Sequence, residues 1–159
     1  MVAVIADNTV LSNFALIERE DILDKVFGGA ICTTAAVRAE LSEGEKRGLV
    51  PRRDWSKVPV LSVESTQERQ AFDIFSARLG KGEASCLSLA ICRNLRVLTD
   101  DRDTRIIAHR RNISVSGTIG VLVLAVKRNI LTRQAANLLL SRLIEKGYYS
   151  PYQSLDGLI

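Results

Sequence analysis

Histidine is nearly missing from this chain: His109 is the single one among 159 residues. Nucleophilic triads built on serine or cysteine need a histidine base, so that class of hydrolase is all but excluded. Cysteine is scarce as well. Cys32, Cys86 and Cys92 are odd in number and lack a CxxC spacing, which argues against a disulfide framework and a zinc site and leaves them as small buried residues. Long apolar runs are absent. The longest, Ile119 to Val126, contains Gly120 and falls far short of a bilayer span, and no basic-then-apolar leader precedes residue 20. These absences predict a cytoplasmic protein with no membrane association. Acidic residues thin out after Thr104, where only Glu145 and Asp156 face Arg105, Arg110, Arg111, Lys127, Arg128, Arg133, Arg142 and Lys146. A basic flank of this kind suits a polyanionic partner through counterion release, and a solvated helix face accounts for it equally well.

What remains is an ordinary globular composition. With 47% apolar and 25% charged residues, the chain is long enough to bury a real core, and residues 1–159 are expected to form one domain. Five short runs predict strands: Val2 to Ala6, Ala30 to Thr33, Val58 to Val63, Arg96 to Thr99 and Ile113 to Ser116. Amphipathic helical patterns alternate with them. They are marked by Leu11, Phe14, Ala15 and Leu16; by Ile22 to Phe27; by Ala36, Val37 and Leu41; by Ala71, Phe72, Phe75 and Leu79; and by the segments 83–93, 104–111, 119–128 and 133–144. Such alternation predicts an α/β fold, a three-layer α/β/α sandwich around a mainly parallel sheet of about five strands. The segment GEKRGLVPRRDWSK, Gly44 to Lys57, is expected to be a surface loop. Its Arg52, Arg53 and Trp55 offer a weak nucleic-acid contact. The tail YYSPYQSLDGLI is expected to pack back on the domain.

Acids cluster where strands end. Asp7 closes VAVIAD, and Asp100 and Asp101 close RVLTDD, so two distant segments bring carboxylates to one edge of a parallel sheet, where ligands bind. Helix capping also explains Asp7, and capping together with the helix dipole explains Asp103 beside Thr104. Two glutamates break the amphipathic rule: Glu40 sits at the margin of its helix's apolar stripe, and Glu83 is in line with Leu87 and Ala90. A carboxylate turned inward needs a partner. Arginine is one option, with Arg102 and Arg105 at hand; a divalent cation is the other. Carboxylates without histidine or thiolate spacing select a hard ion, Mg²⁺ or Mn²⁺. A metal, several acids and a basic flank together point to phosphodiester hydrolysis. Two glycine motifs give less. GKGEAS follows a helical pattern and lacks the last glycine of a dinucleotide fingerprint, while SGTIG offers a helix start for a phosphate without the lysine of a P-loop.

Taken in order, these segments resemble the PIN domain, the fold of VapC-like toxin ribonucleases of toxin–antitoxin modules. IADNTVL resembles the family's opening aspartate, Asp7, with its hydroxyl partner Thr9. AAVRAEL matches the second acid at Glu40, and GKGEASCLSLA puts Glu83 in place of the third, where many members carry aspartate. VLTDDRD resembles the strand-end motif of threonine, any residue, then aspartate, making Asp101 the fourth acid and Asp100 the intervening position. The resemblance implies Asp7 and Asp101 as principal metal ligands, Glu40 and Glu83 on the metal or its waters, and Thr9 orienting Asp7. Asp103 is then expected to cap the next helix. It further implies an RNA substrate, with Arg52, Arg53, Arg102 and Arg105 as weaker contacts, a small antitoxin partner and a homodimer. Two other readings stand beside it: a non-catalytic nucleic-acid-binding regulator and a structure-specific DNA nuclease of the same fold.

Overall fold

The computed structural model describes residues 3–159; Val2 of the first expected strand lies outside the described residues. Strands β1 (Val4–Ala6), β2 (Ile31–Thr34), β3 (Val60–Leu61), β4 (Arg96–Leu98) and β5 (Val115–Ser116) form one sheet in the order β3-β2-β1-β4-β5. Every pairing is parallel, with Val4 opposite both Ile31 and Arg96, and Val97 opposite Val115. A parallel strand is covered on both faces, which is why the central β1 reads VIA without alternation and is wholly buried. The edge strand β3 is shorter than its apolar run suggests. Proline at 59 brings no amide hydrogen, and its carbonyl meets Thr33 instead, so only Val60 and Leu61 join the ladder.

Helices cover the two faces: α1 (Asn8–Leu16), α2 (Asp21–Phe27), α3 (Ala35–Lys46), α4 (Thr66–Ser76), α5 (Lys81–Arg93), α6 (Arg102–Arg110), α7 (Thr118–Lys127) and α8 (Arg133–Glu145). Among the described residues none is long and apolar enough to cross a membrane. The deepest is α5. From Ala84 to Ala90 every side chain is buried, and its serines, alanines and cysteine let it lie close to its neighbours. Ser65 and Glu68 start α4 with a reciprocal capping box, and Arg93 at the end of α5 returns to Glu68 at 2.9 Å, locking the pair together.

The chain runs from β1 outward through β2 to β3, then returns across the sheet to β4 and β5. The order therefore reverses between β1 and β4, and the helices that follow these two strands part there, opening a crevice at their carboxyl ends.

From Arg47 onward the segment 44–57 is the expected surface loop, with two differences. α3 continues through Lys46, and Trp55 is buried, 5% exposed, with its Nε1 donating to Glu45 at 3.3 Å. The tail is anchored by Leu155, which is fully buried, and finishes in a 3₁₀ turn at Asp156–Leu158; Tyr149 stays outside.

Candidate active site

Asp7 ends β1 and begins α1, and both facts shape its carboxylate. Its Oδ1 caps the helix, accepting from the backbone of Thr9 at 2.9 Å and Val10 at 3.4 Å, and it takes the Thr9 hydroxyl at 2.5 Å. Its Oδ2 accepts the hydroxyl of Thr99, the residue after β4. The side chain is 1% exposed. Burial pushes its carboxyl up to about 6, although four hydrogen bonds from Thr9, Thr99 and Val10 pull it the other way. Desolvation therefore wins over a full set of donors. The capping and ligand roles weighed for Asp7 are compatible, since the cap occupies one oxygen and a single hydroxyl the other.

Glu40 and Glu83 approach from the β2 side. Thr34, the last residue of β2, caps α3 through the Val37 amide and shares a 2.7 Å hydrogen bond with Ser85 of α5. That contact sets the two helices against each other, and Glu40 Oε1 accepts the Gly82 amide at 3.1 Å. Burial, then the charge of Glu83, raises the Glu40 carboxyl, and the Gly82 amide opposes them. The two glutamates are thus electrostatic neighbours. Gly82 is a participant that sequence alone did not disclose: a β-carbon there would stand 2.6 Å from Glu40 Oε1. Cys86 lies among these acids. Its thiol and the Thr33 hydroxyl both donate to the Ala6 carbonyl. Burial drives the thiol well up, and Asp7, Glu83 and Glu40 all push the same way.

The strand-end run VLTDDRD divides its acids. Asp100 turns toward α1 and α7, accepting Asn13 Nδ2 at 3.0 Å, the Thr118 amide at 3.0 Å and the Thr118 hydroxyl at 2.5 Å. Its own amide donates to the Thr9 hydroxyl at 2.9 Å, so Thr9 bridges Asp7 and the β4 end. Asp101 is the N-cap of α6, accepting the Thr104 amide at 2.9 Å and hydroxyl at 2.7 Å. This corrects the expectation that Asp103 caps the helix. Asp103 is exposed in the first turn, two residues past the cap position from which a side chain reaches the N2 or N3 amide. The start of α7, considered for a phosphate, has its Thr118 amide occupied by Asp100.

The arginines are dispersed. Arg105 reaches the Thr99 carbonyl at 2.9 Å and Arg102 is exposed. Arg53 is held by Glu20 at 3.0 Å, and Arg52 is exposed in the same loop. Among the described residues no ion pair involves Asp7, Glu40, Glu83, Asp100 or Asp101. The inward carboxylates are therefore not explained by arginine. Uncompensated carboxylates, two of them repelling each other, are a donor set that suits a hard divalent cation. As the side chains stand, no three acidic, histidine or cysteine groups among the described residues converge on one ion position.

The family model DUF3368, described as a PIN domain, matches residues 3–159. The crystal structure of PAE2754 from Pyrobaculum aerophilum superposes with a TM-score of 0.54 at 17% identity, covering 78% of this chain and 90% of that one, a likeness of fold. No curated protein matches the sequence. The chain belongs to the PIN-domain family, whose members are generally nucleases and typically use divalent metals.

Proposed function

We propose that this PIN domain, residues 1–159 acting as one unit, is a metal-dependent endoribonuclease that hydrolyses RNA phosphodiester bonds as the toxin of a toxin–antitoxin module. The observation that carries the reading is the Asp7 carboxylate: nearly dry, raised to about 6, acting with Glu40 and Glu83 on the same buried Cys86 thiol, and matched by no basic side chain among the described residues. Asp7 and Asp101 would hold the ion directly, with Glu40 and Glu83 on it or on its waters. A bound Mg²⁺ or Mn²⁺ supplies Lewis-acid stabilisation of the charge that develops on the phosphodiester. Thr9 and Thr99 fix the orientation of Asp7. Arg102, exposed in the first turn of α6, and Arg105, one turn further on, would take the backbone phosphates. A small antitoxin and a second copy of the chain are the protein partners of this reading.

Cleavage of a labelled single-stranded RNA panel with Mg²⁺, Mn²⁺ or EDTA tests it, using wild type beside Asp7→Asn and Asp101→Asn. The expected result is cutting that requires metal and is lost in both variants. RNA bound but uncut under every condition, from a preparation free of any copurified antitoxin, would replace the enzyme with a binding regulator. Cutting of flap DNA alone would replace RNA with DNA.

A further inference from the structure

Beside Asp100 lies an open cleft of about 870 Å³ that takes in Asn13, Arg105 and the tail tyrosines Tyr148, Tyr149 and Tyr152. Its volume is near the upper end for a small-ligand site. Three of its features bear on what it holds. First, the tail is tied down at both ends while its rings stay out. Gly147, at φ +99°, ends α8 and lets the Tyr148 amide return to Leu143 at 3.0 Å; Leu155 is fully buried and its amide is held by Asn137 at 2.8 Å. Between these anchors the Ser150 hydroxyl bonds the carbonyl and amide of Tyr152 at 2.6 and 3.1 Å. Yet Tyr149 is 87% and Tyr152 43% exposed. The backbone that carries the two exposed rings is thus fixed before any ligand arrives, which lowers the entropy lost on binding.

Second, the cleft sets an acid and a base side by side at Gly117. Asp100 faces it with a carboxylate already satisfied by neutral donors, which disfavours a phosphate at that point; Arg105 supplies the positive charge. Third, Asn13 spends its amide hydrogens on Asp100 and Thr118, leaving Oδ1 as an acceptor for a base edge.

We propose that this cleft is the base-stacking subsite of the substrate strand: unpaired nucleobases of a single-stranded RNA stack on Tyr149 and Tyr152 while Arg105 takes the adjoining backbone. The inference rests on the ribonuclease reading above and extends it to how the strand is gripped. Stacking on aromatic rings is tolerant of base identity, so the subsite favours single strands over duplexes without demanding a sequence.

The test compares a fluorescein-labelled single-stranded RNA with an abasic strand of equal length, by anisotropy in the Asp7→Asn background so that nothing is cut. Tyr149→Ala/Tyr152→Ala is expected to weaken binding of the intact RNA by about five-fold or more per ring. It is also expected to erase the preference for intact over abasic RNA. Tyr149→Phe/Tyr152→Phe, which keeps the rings, binds as the parent does. In the cutting-competent chain the alanine pair raises KM more than it lowers kcat. A wild type that cuts RNA but whose parent binds intact and abasic strands alike overturns the subsite and leaves the nuclease standing. So does an alanine pair that binds intact RNA unchanged. RNA neither bound nor cut overturns both.

Discussion

Replacing Asp7 with asparagine should make the metal-free protein more stable at neutral pH while removing its activity. The reasoning starts from a carboxyl raised from 3.8 to about 6 by burial. At about 1.4 kcal/mol per pH unit, a rise of about two units means that ionising Asp7 costs the folded, metal-free chain about 3 kcal/mol. Because the folded state holds this proton more tightly than the unfolded one, the contribution is fully present below about pH 4. It is lost as pH rises toward 6 and is constant above that. Asparagine never ionises. It keeps an oxygen for the Thr9 and Val10 donors but presents an amide NH₂ to the Thr99 hydroxyl, a mismatch of about 1 kcal/mol. The net gain at pH 7 is about 2 kcal/mol, or about 4–8 °C in Tm for a domain of this size. Thermal and urea unfolding of both proteins in EDTA between pH 4 and pH 8 measures it. The difference between them isolates Asp7 from every other titrating group. Adding Mg²⁺ should then raise the wild type alone, since only it gains a ligand-linked term. A variant less stable than wild type at pH 7, or a gap that does not change between pH 4 and pH 7, would refute the claim that desolvation governs this carboxylate.

Gly82→Ala places a β-carbon 2.6 Å from Glu40 Oε1, a flexible side-chain tip that can swing away. Nuclease activity should therefore fall steeply while urea unfolding moves by less than about 1 kcal/mol. Asp101→Asn and Asp100→Asn should separate in the same unfolding assay. Asparagine caps α6 nearly as well as aspartate, so the first stays within about 0.5 kcal/mol of wild type. The second sets an amide against the donors of Thr118 and Asn13 and loses about 1–3 kcal/mol. Glu68 is 5% exposed, and the Arg93 hydrogen bonds, then the amides of Glu64 and Ser65, hold its carboxyl down at about 2. Its stabilisation is present above pH 4.5 and is lost as pH falls toward 2. Glu68→Gln should lose about 2 kcal/mol at pH 7, a gap that closes in acid titration of the melt.

Elements with a strong apolar period were legible from the chain, because burial of one stripe or one strand leaves its mark on neighbouring residues. β1 with Asp7 at its end, β4 followed by Thr99, and the buried α5 are of this kind. Trp55 was not. Its neighbours Arg52, Arg53 and Asp54 have the composition of an exposed loop, and its burial depends on Glu45 of α3 ten residues earlier. The cap of α6 was misread for a narrower reason: Asp101 and Asp103 both stand near the start of the helical pattern, and only the position of Thr104 as the third helical residue selects Asp101. Gly82 and Asn13 carry no local signal. Their partners Glu40 and Asp100 lie 42 and 87 residues away, so only the folded sheet brings them together.

The crowding of Asp100, Asp101 and Asp103 can now be argued from hydrogen bonds. Both oxygens of Asp100 are taken, one by the Thr118 amide and the other by Asn13 and the Thr118 hydroxyl. That carboxylate, just past β4, ties α1 and α7 together at the point where the sheet order reverses. Asp101 gives Oδ2 to Thr104, and among the described residues nothing donates to its Oδ1. Its amide meanwhile donates at 3.1 Å to the Thr99 hydroxyl that bonds Asp7. Of the three acids, Asp101 is therefore the one with an oxygen to spare and a rigid connection to Asp7. Asp103, exposed in the first turn, adds only its charge to the helix dipole. Their adjacency in sequence follows from the turn between β4 and α6, where successive side chains point in different directions. One aspartate ties α1 to α7, and the next caps a helix with half of its carboxylate and leaves the other half without a donor among the described residues.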